Sequence, residues 1–323
     1  MNLEFYPGSG YNNIIMKHRS LLKITSHFIL AEKQSRQWEG VKMKRTRRKK
    51  KWIVYLAICV VCCAISSIGV EFTGYRQPDE AFVPLDSVLN QETFSDADYD
   101  LLFHQTGLGR VAVDEILEQE DGKETILRFQ ENFLTSIDFE CSFINPLTRE
   151  ENIVDKATGD YKPGFELAPH RRGDVLVSIS THTLGFRHGH AAIVTGENTT
   201  IESIMLGYNS IPQDIDKWRY YTTFMMLRLK GAPQETLDEI VDYTLEYLSD
   251  KPYTPFTGLL TPKNPPIDLL TATQCAHLVW YPFKQFGYDI DANKGWLVTP
   301  RDIGQSDLFE IVQIFGLDPD RPL

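Results

Sequence analysis

The sequence predicts an α+β fold, an antiparallel sheet with helices set to one side, and three observations carry that prediction. Strand-like runs occur at 175–180, 190–194, 200–205 and 221–229, with turn residues between them. Apolar residues recur at helical spacing over about 95–104, 110–118 and 123–133, and further helices are expected over about 233–248 and 274–287. No internal repeat is present, so the arrangement is that of helices beside one antiparallel sheet.

Taken in order, the chain opens with an address. Residues 1–51 hold 13 Lys and Arg against three acids, which leaves the remainder of a chain of net charge −11 strongly acidic. That acidic bulk argues against a nucleic-acid binder, whose footprint is a basic face. After the basic run ending at Lys51, Trp52 to Val70 supplies 19 residues without a charge, a length that predicts a transmembrane helix with the rest of the chain outside the cytoplasm. A cleaved signal peptide, ending near Ala64 and Ser66, has the same layout and stays open as the alternative. Glu39 to Lys42 back-translate to a ribosome-binding pattern ahead of Met43. Residues 1–42 are therefore read as an over-extended, disordered N-terminus, and 43–51 as the basic cytoplasmic segment before the anchor at 52–70.

Residues 71–164 are expected to be a tether and a small helical subdomain. The tether, to about residue 92, lacks periodicity and contains Pro78 and Pro84. Ser95, with Asp98 three residues on and Gly107 beyond, reads as a helix with both ends marked. The two helices that follow carry no recognisable chemistry and are read as packing elements. In the domain at 165–323, Gly173-Asp174 opens the first strand and Pro233 suits the first turn of a helix. The helix that starts near Gln274 contains Pro282, expected to break or kink it.

Chemistry gathers at three residues. His190-Ala-Ala-Ile-Val and Thr200-Ile-Glu-Ser-Ile read as a hairpin, and centring it on Gly196 sets His190 opposite Glu202 on one face. A one-residue slip separates them. Cys275 stands at a helix start, where exposed amides and the helix dipole favour a thiolate and can hold an oxyanion. An imidazole within reach makes that thiolate a nucleophile. Singly, each has a plainer explanation: a buried small hydrophobe, a hydrogen-bonded strand histidine, a solvated glutamate. Cys141 and Cys275, the two cysteines outside the apolar stretch, could instead form a disulfide. His182, His188 and His190 make a zinc site conceivable, but H-x-H alone is a weak signal and no metal or other cofactor is assigned. His277, two residues after Cys275, belongs on another face of the helix.

Gly173-Asp174, the His190 strand with a polar residue 12 positions later, and Gln274-Cys275-Ala276-His277-Leu278-Val279 running to Phe286-Gly287 together resemble the NlpC-type hydrolases. The cysteine follows the histidine by 85 residues, an order similar to the circularly permuted, YiiX/YebB-like branch. The resemblance covers about 165–310 and implies a permuted papain-like fold hydrolysing an amide or related acyl bond through an acyl-enzyme. It assigns Cys275 as nucleophile, His190 as base and Glu202 as the group that holds the ring, where a His, Asn or Gln is more usual. Ala276 stands where a Ser usually follows the nucleophile. Tyr253, Gln274 and His188 are candidate substrate-binding residues, although a packed role suits Tyr253 as well. The expected substrate is a peptidoglycan peptide met outside a bacterial membrane. A lipid amide or ester is the alternative, and a non-catalytic wall-binding scaffold is the reading from another class.

Overall fold

In the computed structural model, which describes residues 51–62, 75–183 and 185–323, the apolar stretch begins as helix α1 over residues 51–62. This corrects the expectation of a transmembrane helix: among the described residues, no helix is long and apolar enough to cross a membrane. The described part of that helix, over 51–62, rises about 18 Å, against a hydrocarbon core about 30 Å thick. Residues 63–70, the basic run at 44–50, and 1–42 with the expected start at Met43 lie outside the described residues. Helix α1 and residues 75–323 belong to separate compact units, and the second is described here by itself.

The segment read as a tether contains α2 (Asp86–Leu89) and buries Leu85, Val88 and Leu89, so it is packed chain. Helix α3 (Asp96–Thr106) has the ends its sequence marks. The Ser95 hydroxyl accepts from Asp98 N, the Asp98 carboxylate accepts from Ser95 N at 2.8 Å, and Gly107 closes the helix at φ 70°. Helices α4 (Arg110–Leu117) and α5 (Gly122–Leu134) turn apolar stripes inward, burying Val113, Ile116, Ile126 and Phe129.

The strands, in chain order, are β1 (Asp138–Asn145), β2 (Thr148–Val154), β3 (Val175–Ser178), β4 (Thr181–Thr183), β5 (Phe186–Arg187), β6 (His190–Gly196), β7 (Thr199–Glu202), β8 (Ile211–Asp214), β9 (Phe224–Leu229) and β10 (Phe309–Phe315). All their pairings are antiparallel. One sheet runs β10-β9-β3-β6-β7-β8 and a smaller one β1-β2-β4-β5. The four expected strands lie in the larger sheet. The β1–β2 hairpin was not foreseen because its residues are mostly half-exposed and polar, and β10 because its partner β9 lies far back in the chain.

Strands β3 and β9 are buried along their whole length, as expected for central strands covered on both faces. Helix α4 packs on β10, while α6 (Gln234–Tyr247) and α7 (Cys275–Gln285) pack on each other and on β6. The short α8 (Pro300–Gly304) touches β3 and α7. Pro282 does not end α7, which continues to Gln285; every residue from Cys275 to Phe283 is buried, and that packing outweighs one missing backbone donor. Asp174, of the Gly-Asp pair, is a buried anchor: it accepts from both Nε and Nη2 of Arg228 at 2.9 and 2.8 Å and ties β3 to β9.

Candidate active site

His190 is the first residue of β6, and the residue before it fixes its position. Gly189 has φ +78°, and a Cβ there would lie 2.0 Å from Ser178 O, so only glycine lets the chain pass this close to β3. The hairpin register differs from a turn centred on Gly196. Ile193 pairs with Ile201 and Val194 with Thr200, a shift of two residues that keeps every side chain on its expected face. His190 and Glu202 become diagonal neighbours, and the long glutamate closes the gap: His190 Nε2 lies 2.7 Å from Glu202 Oε2.

Glu202 is fully buried and crowded with donors. Besides the imidazole, it accepts from Thr200 Oγ1 at 2.6 Å and Trp218 Nε1 at 3.0 Å, and it pairs with the Lys217 ammonium. Burial alone would raise its pKa, but hydrogen bonding to His190 and the charges of His190 and Lys217 hold it at about 2. Glu202 is thus an ionised carboxylate at neutral pH.

The imidazole of His190 is sandwiched. One ring nitrogen meets Glu202, the indole of Trp218 stacks on its face at 5.4 Å and 13°, and the side chain of Cys275 lies close enough to interact with it electrostatically. Burial opposes its positive charge, but the interactions with Cys275 and Glu202 win and push its pKa up to about 9. A buried imidazolium therefore stands between an acid and a sulfur.

Cys275 is the first residue of α7 and is 6% exposed. Packing of α7 on β6 brings its thiol to His190 across the 85 residues that separate them in sequence. Gln274 caps the helix: its Oε1 accepts from Ala276 N at 2.9 Å and lies 3.5 Å from Cys275 Sγ, while its Nε2 donates to Val298 O at 2.8 Å. The side chain is committed to holding the helix start. The first intrahelical bond, Leu278 N to Gln274 O at 2.8 Å, leaves the amides of 275–277 ahead of it, and Gln274 takes that of Ala276. The amide on Cys275 itself is the helix-start donor beside the sulfur.

The remaining candidates separate. Tyr253 pairs in parallel with Thr273, two residues before Cys275, and its hydroxyl pKa is raised by burial and by the charge of Cys275, which sets the ring at the site's edge. His188 spends both ring nitrogens on its own loop, Nε2 with Thr183 Oγ1 and Nδ1 with Gly189 O, each at 2.8 Å, and burial lowers its pKa. His277 lies on another helix face, between Thr273 Oγ1 at 2.9 Å and Lys263 O at 2.8 Å, and burial brings its pKa to about 4. Cys141 and Cys275 are not joined in a disulfide.

His182, His188 and His190 do not converge on one point, since His182 bonds Glu151 instead, at 3.0 Å. Among the described residues, one group has metal-ligand proximity: Cys141, Glu151 and His182, with ligand atoms within 4.8 Å of one another. Its carboxylate already accepts from Arg187, His182 and Thr222, so a guanidinium holds the place a cation would take.

Sequence reasoning missed Trp218, Lys217 and Thr200. Trp218 and Lys217 come from a 3-10 turn, Ile215–Tyr220, whose place under the hairpin is tertiary. Thr200 was legible in principle, because it lies on the same strand face as Glu202. Comparison with protein-family models, curated proteins and solved structures gives no match to this chain.

Proposed function

We propose that the chain is a hydrolase cleaving an amide or related acyl bond through Cys275, with His190 as acid and base and Glu202 holding the ring. The supporting observation is the buried line of thiol, imidazole and carboxylate, with a helix start behind the sulfur. The Cys275 thiolate attacks the carbonyl carbon, a C–S bond forms, and the oxyanion is held by the amide of Cys275. As the carbonyl re-forms, the C–N or C–O bond breaks and the leaving group takes the proton of His190. A water then gives a proton to His190 while its oxygen attacks the thioester, and Cys275 departs as thiolate. Glu202 stays ionised throughout, as its low pKa requires.

The order of histidine before cysteine supports the permuted NlpC-like assignment as part of this reading. A peptide of the cell wall is the proposed substrate. The extracytoplasmic location it requires draws support from the basic-to-apolar order at 44–70.

One observation favours an acyl-lipid as the second reading. Leu206, Tyr208, Phe256, Leu259, Leu260 and Trp296 are exposed apolar side chains on the segments around the site. Tyr208 O accepts from Tyr253 N at 3.0 Å, and Trp296 lies two residues before Val298, which bonds Gln274.

Incubating the protein with purified wall material and, separately, membrane lipids tests both. New amine termini from wall peptide support the first substrate and free fatty acid the second, each absent with Cys275→Ser. No product from either, or equal product from the variant, contradicts the hydrolase.

A further inference from the structure

We infer that a cavity at the β3–β9–β10 end of the larger sheet binds the phosphate group of an organic anion. This rests on charge placement and stands independently of the proposed hydrolase. The cavity has a volume of about 480 Å³ and is lined by Arg76, Arg187, Arg301 and Arg321, with Asp318 the single acidic side chain in its wall.

The pattern of ion pairs across the protein singles this cavity out. Arg110, Arg128, Arg171, Arg172, Arg187, Arg219 and Arg228 each face a carboxylate. Arg76, Arg301 and Arg321 face none within ion-pair distance among the described residues, and all three line this one cavity in an otherwise acidic chain. Guanidinium does not shed its proton, so gathered arginines repel one another until an anion joins them.

Two further features suit a ligand. Arg187 is held in place by Glu151 and by Ile179 O at 3.0 Å, which gives the cavity a fixed donor wall. The hydroxyl of Tyr75, also in the lining, is buried and has no hydrogen-bond partner among the described residues. Planar forks converging from several directions match the oxygens of a phosphate, and the volume leaves room for the organic group it is attached to.

Arg301 and Arg321 are exposed, so Arg301→Gln and Arg321→Gln preserve the fold. Binding of inorganic pyrophosphate to the full chain at low salt is to be measured by calorimetry, alongside co-sedimentation with phosphatidylglycerol and phosphatidylcholine vesicles. The expected result is saturable pyrophosphate binding, weakened about tenfold by either substitution and about a hundredfold by both. Pyrophosphate binding without vesicle binding assigns a soluble phosphate. Binding confined to phosphatidylglycerol vesicles, and lost in the double variant, assigns a lipid headgroup. No binding in either arm overturns the inference. So does binding that survives in the double variant, because the basic run before residue 52 then accounts for it.

Discussion

Among the described residues the protein holds two groups of cysteine, histidine and glutamate, and they differ in how the three are joined. In one, His190 stands between Cys275 and Glu202, the cysteine begins a helix, and the ring is clamped by Trp218. In the other, Glu151 is held by Arg187, and the buried Nδ1 of His182 has no hydrogen-bond partner. Cys141 lies there in mid-strand on β1, paired across to Glu151, with no helix start behind it. The same residue types thus set a thiol beside an imidazole at a helix start in one place and make a salt-bridged anchor between strands in the other. Residue composition does not separate the two; connectivity and the local dipole do.

The sharpest way to break this contrast is to exchange serine for each cysteine. Cys275→Ser is expected to lower turnover at least about a thousandfold, whereas Cys141→Ser stays within about twofold of the parent, both read as kcat/KM on whichever substrate is hydrolysed. Next in size is His190→Ala, expected to cost about 10²- to 10⁴-fold in kcat with the thiol still present.

Replacing the two glutamates sharpens the comparison further. Glu202→Gln leaves the ring position but removes the charge that supports the imidazolium, so activity falls about tenfold and its alkaline limb moves below pH 9. Glu151→Gln leaves activity unchanged but destabilises by about 1–3 kcal/mol, read in denaturant melts, because Arg187 keeps a poor partner.

The pH dependence of stability follows from the same pair. His190 is raised from 6.5 to about 9, so its contribution is complete below pH 6.5 and is lost as pH rises through about 9. Glu202 is lowered from 4.5 to about 2, so its contribution is present above pH 4.5 and is lost as pH falls through about 2. Melting temperature therefore has its plateau between these limits, and Glu202→Gln flattens both flanks. The smallest effect belongs to Trp218→Phe, which keeps the stack on His190 and deletes the indole donor to Glu202. A severalfold loss in kcat with KM unchanged is expected, because the deleted donor acts only by positioning the carboxylate.

How much of this was legible in the chain depends on range. The capped helix at Ser95, four of the six strands of the larger sheet and the facing of His190 toward Glu202 rest on local periodicity, and even a register two residues off kept the face, because strand side chains alternate. The meeting of Cys275 with His190 was inferred from residue types and a resemblance, since only the packing of α7 on β6 creates it. The hairpin β1–β2, the clamp by Trp218 and the cavity arginines depend on contacts between distant segments and left no periodic trace. The membrane-crossing helix was read from the length of an uncharged run, and among the described residues no helix is long and apolar enough to cross a membrane.

Exposure and activation make opposite forecasts for the two thiols, which lets one experiment decide between them. Cys141 is the more accessible and Cys275 is buried, so accessibility alone makes Cys141 react first. The direct measurement is the rate of iodoacetamide labelling at pH 6, read peptide by peptide by mass spectrometry in the parent and in His190→Ala. Faster labelling of Cys275 by at least about tenfold, with the advantage lost in His190→Ala, is the outcome expected of a thiolate paired with an imidazolium. Faster labelling of Cys141, or a Cys275 rate that His190→Ala leaves unchanged, contradicts it.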